Sequence, residues 1–140
     1  MRNDDEIRDV ERLFALRGAH GRFEPNADVQ FDERERAIVV HVELAGADAD
    51  SLRVEFDDVH LVIAGTRALR DVSRHVSLLR KEIQFGPFLK RIPLPVPVSD
   101  QGASAVYRDG ILAIRLPLAE TRQHPIVRTE VRMTVRRTLA

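Results

Sequence analysis

The sequence predicts an all-β protein, an immunoglobulin-like antiparallel β-sandwich. Three observations carry that expectation. Apolar and polar residues alternate with a period of two over residues 37–44, 52–56, 60–64 and 104–116, the spacing that gives a strand one core face and one outer face. Turn signals separate these runs at close intervals, among them Gly46, Asp57-Asp58, Gly65 and Asp109-Gly110. Helical spacing is confined to the ends of the chain. Many short strands with one-sided alternation pack best as two antiparallel layers.

The elements follow in order. Residues 4–17 (DDEIRDVERLFALR) place Ile7, Val10, Leu13 and Phe14 at helical spacing, with acidic residues in the first turns, where the helix dipole favours them. A short helix is expected there, ended by Gly18 and Gly21. It either packs on its own domain or serves as a sticky arm for other chains, since a helix this short is marginal alone. Pro25 marks the start of the domain, and residues 28–32 (DVQFD) form a first strand.

Residues 37–44 (AIVVHVEL) set Ile38, Val40, Val42 and Leu44 on one face and Val39, His41 and Glu43 on the other. In LRVEF, Leu52, Val54 and Phe56 point inward; in HLVIA, Leu61 and Ile63 share a face and Gly65 closes the strand. Residues 66–82 are charged, with scattered apolar residues that suit either a helix (Leu69, Val72 and Val76 on one face) or a strand. A strand runs around Phe88–Leu94, and Pro93, Pro95 and Pro97 favour an extended edge segment. Asp109-Gly110 then joins two alternating runs as a two-residue hairpin turn, which needs positive φ. The tail carries a β-like stretch in which period two puts Val131, Met133 and Val135 on one face.

A chain of 140 residues suits one domain with tails: an arm over 1–26, the sandwich over 27–118 and an extension over 119–140. Hydrophobic residues make up 44%, enough for a packed core. The absence of cysteine excludes disulfides and thiolate metal sites and fits a cytoplasmic location. The 22 basic and 22 acidic side chains balance, so no net positive charge draws in nucleic acid, and near-neutrality favours association with other chains. No apolar run approaches the roughly 20 residues of a membrane span, and the acidic N-terminus lacks a signal core.

No catalytic constellation is present. His20, His41, His60, His75 and His124 form no H-E-x-x-H or close pair. The serines lie in no G-x-S-x-G elbow, and no phosphate-binding loop occurs. No metal, cofactor or enzyme activity is expected. Asp57-Asp58 and Asp48/Asp50 are turn residues rather than acid pairs. Arg67, Arg70, Arg74, Arg80 and Arg91 interleave with Asp71 and Glu82, which points to an ion-paired protein interface rather than a nucleic-acid surface. What remains is binding through open strand edges and apolar grooves.

Four motifs in order over about residues 27–118 resemble the small heat-shock proteins of the α-crystallin domain family, bacterial type. VVHVELAGADADSLRVEF looks like the family's strand–loop–strand unit. HLVIAGTR looks like L-x-I-x-G-x-R, and EIQFGPFLKRIPLP resembles the aromatic-Gly-x-Phe motif running into Leu-Pro. AVYRDGIL fits A-x-x-x-x-G-x-L through Ala105, Gly110 and Leu112.

The resemblance implies an ATP-independent holdase chaperone that binds unfolding clients. Contacts would come through the arm (Ile7, Val10, Leu13, Phe14) and the sandwich grooves. It also implies a homodimer, open to larger homo-oligomers, in which residues 68–82 carry an exchanged strand with Val72, Val76 and Leu78 at the interface; a local helix is the alternative. A groove between the strands at about 60–65 and 103–116 would receive Val131, Met133 and Val135, although the tail has no plain I-x-I motif. A CS-type co-chaperone that docks one folded partner is the other class considered.

Overall fold

A computed structural model describes residues 23–68, 75–120 and 128–136. The expected N-terminal helix lies outside these residues. Nine strands are described: β1 (Ala27–Asp32), β2 (Ala37–Glu43), β3 (Arg53–Phe56), β4 (His60–Arg67), β5 (Gly86–Pro93), β6 (Ser104–Arg108), β7 (Ile111–Pro117), β8 (Thr129–Glu130) and β9 (Met133–Arg136). One 3-10 turn, Ala49–Ser51, opens after Asp48, whose side chain accepts from the Asp50 N–H.

The strands form a five-stranded sheet in the order β1-β2-β7-β6-β9 and a four-stranded sheet in the order β5-β4-β3-β8. All pairings are antiparallel except β6 with β9, which is parallel. The protein is thus a two-layer β-sandwich, as its alternation predicts. Ile38, Val40, Val42, Ile114 and Leu116 from one sheet meet Val54, Phe56, Leu61, Ile63 and Phe88 from the other in a single core. Every one of these side chains is 1% exposed or less.

Gly65 does not end β4, which continues to Arg67 opposite Gly86. Its role is close approach. A Cβ there would lie 2.8 Å from both Leu52 Cδ2 and Phe88 Cζ, closer than carbon atoms pack. The proline-rich segment after β5 is pinned by Val98, fully buried and bridged to Leu118, and by the Leu94 N–H donating to Val59 O at 2.8 Å. β5 lies at the edge of its sheet, where prolines cost no ladder bond.

Candidate interaction surfaces

The β6–β7 hairpin turns through Asp109 (φ 53°) and Gly110 (φ 79°), with Arg108 opposite Ile111. Both turn residues are left-handed, as the two-residue turn requires. Gly110 also meets the β2–β3 connection: its carbonyl accepts from the Leu44 N–H at 2.8 Å, and a Cβ would fall 3.0 Å from Ala45 Cα. Ala105 and Leu112 are buried in the core. Tyr107 donates to Leu44 O at 2.6 Å, a second tie between hairpin and connection. These motif residues therefore build one end of the sandwich.

The tail closes one side of the molecule. β8 pairs with β3, setting Glu55 opposite Glu130, and β9 runs parallel to β6 from Ala105–Met133 to Arg108–Arg136. Between the two short strands the chain crosses from one sheet to the other. Val131 sits at that crossing, 5% exposed, and its N–H donates to Val54 O at 2.9 Å. Met133 packs partly on the core, and Val135 remains 38% exposed. Burial thus falls along the three residues: Met133 and Val135 share a face of β9, while Val131 precedes that strand, which is separated from β8 at 131–132.

The groove also differs from the expected one. The tail lies against β3 and β6, not against the strand at 60–65. β4 is flanked by β3 and β5, so its backbone groups are already paired, whereas the side of β3 away from β4 has N–H and C=O groups to offer β8. Arg53 reaches Glu130 at 3.6 Å across this seam, but both side chains are about half exposed, so the pair adds little.

Asp57 begins the β3–β4 turn, its Oδ1 accepting from the Val59 and His60 N–H groups at 2.8 Å each. Burial raises the pKa of this carboxyl. Those two N–H groups and the charges of Arg128 and His60 outweigh that effect and leave it below the ordinary aspartate value. Arg128 begins the last described segment of the tail, 128–136, so the turn and the tail share this electrostatic contact.

Among the described residues, the opposite side is open. β1 is the outer strand of the larger sheet. Val29 and Phe31 stand opposite Val40 and Ile38 and so share their face, yet they are 44% and 49% exposed while Val40 and Ile38 are buried. Five strands stacked on four, aligned at the tail side, leave β1 without a counterpart. The sequence marked 28–32 as a strand without its overhang being read from it. The apolar alternation at 29 and 31 was the available signal.

The connection between β4 and β5 is the second open feature. Residues 75–84 are exposed throughout and form neither helix nor strand. They carry Val76 (64% exposed), Leu78 (70%), Leu79 (97%) and Ile83 (63%). Val72 lies outside the described residues, as do Ile7, Val10, Leu13 and Phe14. The local helix considered for this stretch is not formed over 75–84.

A two-layer antiparallel sandwich with one strapped side and one open side defines the class of protein, and comparison with known proteins narrows it. The Hsp20/alpha crystallin family profile matches residues 30–133. The 16.9 kDa class I heat shock protein 1 of Triticum aestivum is 28% identical over 107 residues, covering 76% of this chain and 71% of its own length. Small heat shock protein C4 of Rickettsia felis is 30% identical over 96 residues, covering 69% of this chain and 58% of its own length. The crystal structure of hspA from Xanthomonas axonopodis superposes with a TM-score of 0.62 at 27% identity, over 71% of this chain and 98% of that one. The chain belongs to the Hsp20/alpha crystallin family, whose members are the small heat-shock proteins.

Proposed function

We propose that the protein is an ATP-independent holdase that covers apolar surface on partly unfolded proteins and slows their aggregation, without performing chemistry. One observation carries this: the uninterrupted exposure of residues 75–84 with four large apolar side chains among them. A stable monomer rarely leaves such a stretch in water. Its natural occupants are another copy of the chain or a client. The cysteine-free composition suits a reducing cytoplasm.

In the resting state the stretch docks on a second copy, adding a strand to the free edge of β1 and covering Val29 and Phe31. Charge supports this pairing. The β1 end is net acidic, with Asp28, Asp32, Glu33 and Glu35 against Arg34 and Arg36, whereas the connection is net basic, with Arg80 and Lys81 against Glu82. Val72, Val76 and Leu78 are the interface residues on the donor. The arm over 1–26, with Ile7, Val10, Leu13 and Phe14, supplies client contacts, and the extension over 119–140 anchors through Val131, Met133 and Val135. A tail that straps its own sandwich leaves the dimer as the basic unit, and larger assemblies require it to leave for a neighbour's groove.

The test is light scattering from several unrelated proteins heated with the chain and no nucleotide. Broad suppression supports the holdase. Precipitation at the rate seen in buffer, or rescue of a single partner, overturns it. For the dimer, solution mass is measured on the full chain and on Leu78→Asp/Leu79→Asp; an unchanged dimer in the variant rejects the docking segment.

A further inference from the structure

Arg67 ends β4 at the junction of three chain segments. Its Nε donates to Gln84 O at 2.9 Å, at the foot of the exposed connection. Its Nη1 donates to Ala45 O at 3.2 Å, in the turn after β2. Its guanidinium carbon lies 4.2 Å above the centroid of the Phe23 ring. Phe23 is the first described residue, at the root of the N-terminal arm, and is 4% exposed; its ring also meets Phe88 at 5.2 Å between centroids. Phe85 approaches the same guanidinium at 6.0 Å.

We propose that Arg67 is a clasp that couples the root of the N-terminal arm to the foot of the 75–84 connection, so that loosening one loosens the other. A guanidinium suits this task. It is planar, so it stacks on one ring and still donates in its own plane to two carbonyls on separate segments. Lysine is a point charge on a flexible stem and cannot hold all three contacts. Neither segment is tied to the other by a strand pairing, since Phe23 precedes β1 and Gln84 precedes β5. Arg67 is the side chain that contacts both Phe23 and Gln84; the arm's root also meets β5 itself, through Phe23 on Phe88 at 5.2 Å and Glu24 on Lys90 at 3.2 Å, which is why the double variant below is needed. Arg67 is a positioning residue, and its consequence is that displacing the arm, by a client or otherwise, would free the connection at the same time.

Hydrogen exchange on the full chain reads the coupling, with β2 amides as the internal reference for global opening. Arg67→Lys is expected to speed exchange over 83–86 and over 23–26 together, relative to β2, by about 2- to 30-fold, the range a ring–guanidinium contact supports. The decisive variant is Phe23→Leu, which keeps a buried apolar side chain and removes the ring face. It touches neither Gln84 nor Ala45 through the contacts above, yet it is expected to speed exchange at 83–86. The Phe23→Leu/Arg67→Lys double variant is expected to be no faster there than Arg67→Lys alone. Unchanged exchange at 83–86 in Phe23→Leu, or additive effects in the double variant, would overturn the clasp. The measurement is independent of chaperone activity, so it stands or falls separately from the holdase proposal.

Discussion

Val131→Ala is the sharpest probe of how the tail is held. The side chain is 5% exposed and lies where the chain crosses between the two sheets. Removing its two methyl groups forfeits about 0.8 kcal/mol for each carbon taken from the buried seam, or about 1.6 kcal/mol. That lowers the docking equilibrium about 15-fold, at 1.4 kcal/mol per factor of ten. On the β3 side little else compensates, since β8 contributes only Thr129 and Glu130 to its ladder and the Arg53–Glu130 pair is exposed; the four-pair ladder of β9 on β6 holds the other half of the tail. Hydrogen exchange across 128–136 measures the effect directly, because the Val131 N–H is itself bonded to Val54 O at 2.9 Å. Val135→Ala, at a site 38% exposed, is the control and is expected to speed exchange much less. Equal acceleration by the two variants would refute the assignment of Val131 as the anchor.

Three further outcomes follow from the same geometry. Gly65→Ala forces a methyl group to 2.8 Å from Leu52 Cδ2 and Phe88 Cζ. With Phe88 fully buried, the overpacking is expected to cost about 1–3 kcal/mol. Thermal unfolding should show a drop of about 4–8 °C per kcal/mol for a domain of this size, and an unchanged midpoint would mean that the layers yield. Tyr107→Phe removes the 2.6 Å bond to Leu44 O and should destabilise the hairpin end by about 0.5–1.5 kcal/mol in denaturant titration; no change would mean that water replaces the hydroxyl. Asp57 is depressed in the folded state, so its contribution is complete above the ordinary aspartate value of about 3.9 and is lost as pH falls through the lower folded value. Asp57→Asn, which keeps the Oδ1 acceptor, is therefore expected to flatten the acid limb of the stability curve, and an identical acid limb would remove Asp57 from the account.

Much of the sandwich was legible because alternation and burial coincide. Ile38, Val40 and Val42 alternate with Val39, His41 and Glu43 in the sequence and again in the burial of β2. Asp109-Gly110 states its turn in two residues. Gly65 was less transparent, since a glycine needed for strand closure and one needed for layer approach look alike until Leu52 and Phe88 are in place. The tail groove was assigned to the wrong strand for a related reason: alternation identifies 60–64 as a strand but says nothing about whether it is central or at an edge. Arg67 stood in the sequence as one of several arginines, and only the fold brings Phe23, Ala45 and Gln84 around it.

By itself, then, the sequence determined the two-layer body, its hairpin and its inward faces, because period-two patterning acts locally along each strand. Tertiary structure alone decided which edges stay open, which strand the tail straps and which apolar side chains remain in water. Those properties depend on strand order and on the mismatch of five strands against four, and neither is written in any one segment of the chain.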